Sequence, residues 1–162
     1  MRVLVSDTSV LVDLGRGGLL EAAFACGLTM IVPDMLYQQE LEKENGPYLR
    51  ALGLGVVALT PGEVELAQQI KKGRAGLSWP DCFALSCAHR PDHVLISGDK
   101  TLQSEANMRV GKVYGLLWVL DRMEENGVAR AQLHQGLSAI SQHPTCRLPK
   151  EEVEARIAKW NA

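Results

Sequence analysis

Four carboxylates stand where chemistry is possible. Asp7 follows the apolar run Val3-Leu4-Val5, and Asp99 follows Val94-Leu95-Ile96-Ser97-Gly98, so two acids close two strand-like segments in the same way. Asp81 lies three residues after Ser78 in LSWPDCFALSCA, and Glu40 lies in DMLYQQELEKE after a strand ending in Val32-Pro33. Each has an ordinary explanation. Asp7, Thr8 and Ser9 are good helix N-caps, Asp81 suits a capping box opened by Ser78, Gly98-Asp99-Lys100-Thr101 suits a turn, and Glu40 with Glu44 suits one solvated helix face. As a group they ask for more. Two carboxylates about 5 Å apart repel by roughly 3 kcal/mol at an effective dielectric of 20, so a converged set must be protonated, hydrated or neutralised by a cation. Hard oxygen donors without His or Cys suit Mg²⁺ or Mn²⁺, which keep waters and promote in-line displacement at phosphorus.

The elements that would position these acids follow from periodicity. Strands are predicted at Arg2–Ser6, Thr29–Val32, Val56–Leu59, His93–Ser97 and Val110–Tyr114, and the unbroken apolar runs in the first and fourth are those of parallel strands covered on both faces. Helical patterns fall between them: from Val10, over Leu19–Ala25, from Asp34 through Glu44, over Val64–Ile70 behind the box Thr60-Pro61-Gly62-Glu63, from Ser78 to Ala88, and around Ser104–Asn107. Further helices are predicted over Gly115–Glu125 and Ala129–Ser141. After a linker at Pro144–Pro149, a charged helix carries Val153, Ile157 and Trp160 as a narrow stripe that could dock on the domain or on a second copy. Alternating strands and helices predict an α/β fold, a three-layer α/β/α sandwich around a parallel sheet of about five strands with C-terminal helices added. Ligands of such sheets gather at the carboxyl ends of the strands. The division expected is a domain over residues 1–145 and a helical tail over 146–162.

Composition narrows the partners. A chain of 162 residues with 46% apolar and 22% charged residues is expected to be one globular domain. A net charge of −2 gives no general attraction to nucleic acid or anionic membrane, so either partner needs a local basic patch. No apolar run approaches the ~18 residues of a membrane span, and the few apolar residues before Asp7 are too short for a signal peptide, so a cytoplasmic protein is expected. The cysteines Cys26, Cys82, Cys87 and Cys146 lack CxxC spacing and read as reduced thiols.

Asp7-Thr8-Ser9 after the first strand, an acid in the helix after Val32-Pro33, LSWPDCFALSCA and LISGDKTL together resemble the PIN domain family, and within it the VapC-like toxin ribonucleases, over about residues 1–120. The resemblance implies a Mg²⁺- or Mn²⁺-dependent endoribonuclease with Asp7, Glu40, Asp81 and Asp99 as catalytic acids and Asp7, Asp81 and Asp99 as the metal set. Asp7 and Asp99 would hold the ion directly, while Asp81 and Glu40 orient its waters. Glu42 and Glu44 compete with Glu40 for its position. Ser9 and Ser97 would brace the site. The family often adds a fourth Asp just after the last motif, where this chain has Lys100-Thr101. The implied partners are an RNA substrate and a small antitoxin, besides a possible homodimer and no membrane. Lys72, Arg74 and Lys100 are the candidates for gripping the RNA backbone, with Lys71, Arg109 and Lys112 as further cations.

Two other functions fit parts of the pattern. A non-catalytic PIN-like interaction module could use the tail to join a complex, and a Mg²⁺-dependent phosphatase would also place acids at strand ends, although Ser9 stands where the haloacid-dehalogenase type has a second Asp. Zinc is disfavoured because Pro91 separates His89 from His93, and no glycine-rich nucleotide loop occurs.

Overall fold

The computed structural model describes residues 2–161. Its centre is one sheet of five strands, β1 (Val3–Ser6), β2 (Thr29–Pro33), β3 (Gly55–Val57), β4 (His93–Ile96) and β5 (Val113–Tyr114), all parallel and ordered β3-β2-β1-β4-β5. The central strand β1 pairs with β2 on one side, Val5 opposite Ile31, and with β4 on the other, Ser6 opposite Ile96. Leu4, Val5, Met30, Val32, Val94, Leu95 and Ile96 are buried, as strands covered on both faces require.

Ten helices among the described residues surround the sheet. The first seven are α1 (Thr8–Arg16), α2 (Leu20–Ala25), α3 (Asp34–Leu36), α4 (Gly46–Leu52), α5 (Pro61–Gly73), α6 (Trp79–Cys87) and α7 (Lys100–Arg109). Then come α8 (Leu116–Glu125), α9 (Arg130–Gln142) and α10 (Lys150–Trp160). Helix α6, apolar nearly all round, lies across β1, β2 and β4 with α3, α5 and α7 against it. Helices α1, α2, α8 and α9 pack with one another as the second layer, and α10 packs on α9. The fold is therefore a three-layer α/β/α sandwich.

Several boundaries differ from expectation. Val110 caps the end of α7, and Gly111, at φ 63°, turns the chain, so β5 begins only at Val113. Strand β3 covers Gly55–Val57 rather than Val56–Leu59. The helix expected from Asp34 through Glu44 breaks up: α3 widens into a π-helical turn at Tyr37–Leu41, closed by Glu42 N–H donating to the Tyr37 carbonyl at 2.8 Å, and then ends. Gly46 explains the ending. A Cβ there would stand 2.6 Å from the Leu41 carbonyl oxygen, so the chain doubles back against its own turn at a residue without a side chain.

The tail is held by specific contacts. Val153 and Trp160 are buried, while Arg156 makes a two-point pair with Asp121 at 2.9 and 2.7 Å and Lys159 meets Glu124 at 2.9 Å. Ile157 packs half-buried against the same core. Cys82 and Cys87 are buried free thiols, and burial pushes Cys87 up to about 11, which leaves it unreactive at neutral pH. Among the described residues no helix is long and apolar enough to cross a membrane.

Candidate functional site

Strand order decides where the acids meet. The sheet reverses direction of growth at β1, so the crevice at a topological switch point opens between the carboxyl ends of β1 and β4. Asp7 and Asp99 follow those two ends. Asp7 N–H donates to the Ile96 carbonyl at 3.0 Å, extending the ladder by one bond and seating the carboxylate in the crevice.

Both strand-end acids also cap helices, as expected for Asp7, whereas the turn expected at Gly98-Asp99-Lys100-Thr101 is instead the start of α7. Asp7 Oδ1 accepts from Val10 N–H at 3.2 Å and opens α1; Asp99 Oδ1 accepts from Leu102 N–H at 2.9 Å and opens α7. Ser78 opens α6 by accepting from Asp81 N–H at 3.1 Å, which sets Asp81 in the first helical turn. The reciprocal bond of a full capping box, which Thr60 N–H and Glu63 Oε1 do form at 2.9 Å, is absent at Ser78 among the described residues. Three aspartates thus sit at helix N-termini, where the peptide dipoles favour negative charge.

Two serine hydroxyls lock Asp7 to the β4 loop. Ser97 Oγ, fully buried, donates to Asp7 Oδ2 and accepts from Asp99 N–H at 3.0 Å. Ser9 Oγ donates to Asp7 Oδ1 at 2.7 Å and accepts from Gly98 N–H at 3.0 Å. Each hydroxyl passes a backbone N–H dipole on to the Asp7 carboxylate, which fixes the carboxylate plane across 90 residues of sequence. A Cβ at Gly98 would stand 3.1 Å from Ser9 Oγ, so the loop approaches α1 as closely as that relay needs.

Glu40 arrives from the π-helical turn. Its Oε1 accepts from Thr8 Oγ1 at 2.6 Å, and its charge reaches Asp81. Glu42 and Glu44 do neither, although Glu44 lines a neighbouring cleft with Glu40. The wide turn matters here, because π geometry alters the spacing that would have stacked Glu40 on Glu44 in an α-helix.

The electrostatics are those of an uncompensated acid cluster. Burial pushes the Asp81 carboxyl up to about 6; the Ser78 hydroxyl opposes the rise, and the charges of Asp7, Asp99 and Glu40 add to it. Asp7 is also raised, first by burial and in small part by Asp99, against the hydrogen bonds from Ser97, Ser9 and Val10. Among the described residues no Lys or Arg relieves either group.

That imbalance has a measurable consequence in metal-free protein. A raised acid pKa means that the native state keeps its proton between 3.8, the ordinary value, and about 6, where the unfolded chain has lost it, so stability falls as pH rises through that interval. Glu63 acts the other way. Its Arg90 partner lowers it to about 2, and its contribution is lost only as pH falls below the ordinary 4.5. Urea unfolding in chelator should therefore show greater stability at pH 5 than at pH 7, by about 1 kcal/mol after discounting the half-exposed Asp81 for solvent screening, and Asp81→Asn should flatten the profile. A midpoint higher at pH 7 than at pH 5 would contradict the clustered-acid description.

The donor set fits a hard divalent cation. It is all carboxylate and hydroxyl oxygen, and it carries unrelieved negative charge. Among the described residues no group of three or more His, Cys, Asp or Glu side chains is placed to hold a metal ion, whereas Mg²⁺ commonly takes one or two carboxylates and keeps several waters. His89 and His93 are engaged elsewhere, with the Leu85 and Pro91 carbonyls at 2.9 and 2.8 Å.

The basic candidates separate. Arg74 pairs with Glu105 at 3.2 Å, and Arg109 pairs with the same acid at 2.8 Å. Lys71 is held by the Ala75 and Leu77 carbonyls and lies over the Trp79 ring, and Lys112 meets the Arg90 carbonyl. Lys72 is exposed near the end of α5. Of Lys72, Arg74 and Lys100, only Lys100 adjoins an acid of the site. Two supporting residues take roles that sequence pattern does not reveal: Thr8, which anchors Glu40, and Gln103, whose amide donates to the Ser97 carbonyl. The hydroxyl of Thr8 beside Asp7 is the one trace they leave in the sequence.

A family model described as "DUF3368: PIN domain" matches residues 3–162, so the match includes the helices beyond residue 120. No curated protein and no solved structure matches the chain significantly. With the family match covering nearly every residue, on a parallel α/β/α sandwich whose switch-point crevice is acidic, the chain belongs to the PIN domain family, a nuclease-type fold.

Proposed function

We propose that the protein is a Mg²⁺- or Mn²⁺-dependent endoribonuclease that hydrolyses RNA phosphodiester bonds at the crevice between β1 and β4. The observation that carries this reading is the convergence of acids from four separated segments, at Asp7, Glu40, Asp81 and Asp99, in one field that no cation among the described residues neutralises. When bound, the divalent ion would supply Lewis-acid activation of water and neutralisation of charge at phosphorus.

The chain's own residues prepare the site. Asp7 and Asp99 present carboxylate oxygens from adjacent strand ends, and Ser9 and Ser97 hold the Asp7 plane so that it need not reorganise. Asp81 and Glu40 border the crevice and are suited to orienting water through hydrogen bonds, with Glu40 fixed by the Thr8 hydroxyl. The family resemblance alone supports two further elements of the proposal: a role as the toxin of a toxin–antitoxin pair, with a small antitoxin as partner, and a cytoplasmic location.

The test is cleavage of a panel of single-stranded and structured RNAs by purified protein in Mg²⁺, in Mn²⁺ and in excess chelator. Cleavage with either metal that stops in chelator is the expected result. Cleavage unaffected by chelator, or none with any RNA alongside tight metal-free binding of a protein partner, would overturn the reading.

A further inference from the structure

Beside the acid crevice the surface divides into two clefts that share Gly98, Arg147 and Leu148. One, of about 350 Å³, includes Ser9 and Asp99 in its lining. The other, of about 470 Å³, runs between the N-terminal ends of α7 and α8 and the start of α10, and includes Lys100, Gln103 and Trp118. The segment joining α9 to α10 therefore lines the same clefts as the loop that carries Asp99, and Arg147 of that segment borders both.

The cations here differ in availability. Arg156 in the larger cleft is committed to Asp121, and Arg16 in the smaller one lies near Asp13 and donates to Thr145 Oγ1 at 3.0 Å. Lys100 and Arg147 are exposed and have no acidic partner among the described residues. A chain of net charge −2 with an acidic crevice repels a polyanion, so the strand needs local positive charge next to the cut. Lys100, immediately after Asp99, and Arg147, on the segment that lines the same cleft, supply it from two separate parts of the chain. Trp118 is stacked on Tyr114 with ring centroids 4.4 Å apart and has Arg122 over its ring at 5.1 Å, so the indole already has two partners. The larger cleft is lined by Lys100, Arg147 and Arg156 together with Asp121 and Glu152, and its volume lies within the range of ligand pockets.

We propose that this cleft holds the backbone of the nucleotide next to the scissile phosphate, with Lys100 and Arg147 clamping its phosphate. The proposal rests on the ribonuclease reading and assigns the C-terminal region a part in the site: the Arg156–Asp121 pair and buried Trp160 fix α10, which follows the segment that carries Arg147. Nothing in the local sequence of the linker marks Arg147 out.

The test is anisotropy of a labelled short single-stranded RNA on the full-length protein in chelator, at several salt concentrations, with cleavage kinetics in Mg²⁺ alongside. Lys100→Ala and Arg147→Ala should each weaken binding about 3- to 10-fold and lower the log–log salt slope by about 0.7, as loss of one phosphate contact on a single strand does. Arg147→Lys should retain most of the affinity. In Mg²⁺ the alanine variants should raise KM with kcat within about twofold. Unchanged affinity and slope in both alanine variants overturns the clamp while wild-type cleavage leaves the nuclease standing. Loss of binding in these variants of a wild type that does not cleave removes the nuclease and keeps the clamp. A wild type that neither binds nor cleaves RNA overturns both.

Discussion

Asp99→Asn is expected to lower Mg²⁺-dependent RNA cleavage by about a thousandfold or more, with the fold intact. Loss of a single preorganised electrostatic group costs on the order of 10²–10³, and here the charge that draws the cation goes with it. The substitution is clean because Asn caps helices about as well as Asp, so the bond from Leu102 N–H that opens α7 survives. Asp7→Asn should be as severe for activity, although its amide group must face the Ser97 hydroxyl that now donates to Oδ2. Both should melt in chelator close to the wild type, since each removes one charge from a mutually repelling set in which Asp7 is already raised by burial. Wild type should gain thermal stability on adding Mg²⁺, and both variants should lose that gain, a readout that separates failure to hold the ion from failure to bind RNA. Full cleavage by either variant would remove its carboxylate from the catalytic set.

Gly136→Val should destabilise the protein by about 3 kcal/mol, on the order of 6–12 °C in Tm for a chain of this size. A Cβ at Gly136 would stand 2.5 Å from Leu19 Cδ1, 2.7 Å from Leu19 Cγ and 2.9 Å from the Gly17 carbonyl oxygen. Leu19 is fully buried and the carbonyl is backbone, so neither can give way cheaply. From the other side, a Cβ at Gly17 would meet the Gly136 carbonyl oxygen at 2.9 Å. The end of α1 and the middle of α9 are thus in backbone contact, and only glycine at both positions allows it. Mid-helix glycine costs about 1 kcal/mol against alanine, so the destabilisation shows how far close approach outweighs propensity. Gly62→Ala in the first turn of α5, where nothing lies within 4 Å, is the control and should be neutral or slightly stabilising. Thermal melts of the two variants decide it, and a Gly136→Val protein as stable as the wild type would contradict the packing.

Part of the site is legible in the amino-acid sequence because its signals are local. Val3-Leu4-Val5 and Val94-Leu95-Ile96 announce buried parallel strands, and a carboxylate after such a strand lies at the sheet edge whichever strand is its neighbour. Thr60 with Glu63, and Ser78 with Asp81, are encoded within four residues because a cap is an i to i+3 interaction. The break of the helix after Asp34 is hidden from such signals, because it arises from the return of the chain at Gly46 and not from any helix breaker inside YQQEL.

What the sequence determined on its own was the kind of element at most positions and the identity of the acids that end them, since periodicity and capping act over a turn or two of chain. The tertiary structure decided which of those acids share a crevice. Packing β4 directly beside β1 joins Asp7 to Ser97 across 90 residues, and the π-helical turn brings Glu40 within hydrogen-bond distance of Thr8. Glu105 engages Arg74 and Arg109, while Lys100 and Arg147 keep no acidic partner among the described residues. Those outcomes depend on strand order and on the close approach of elements distant in sequence, which short-range pattern does not encode.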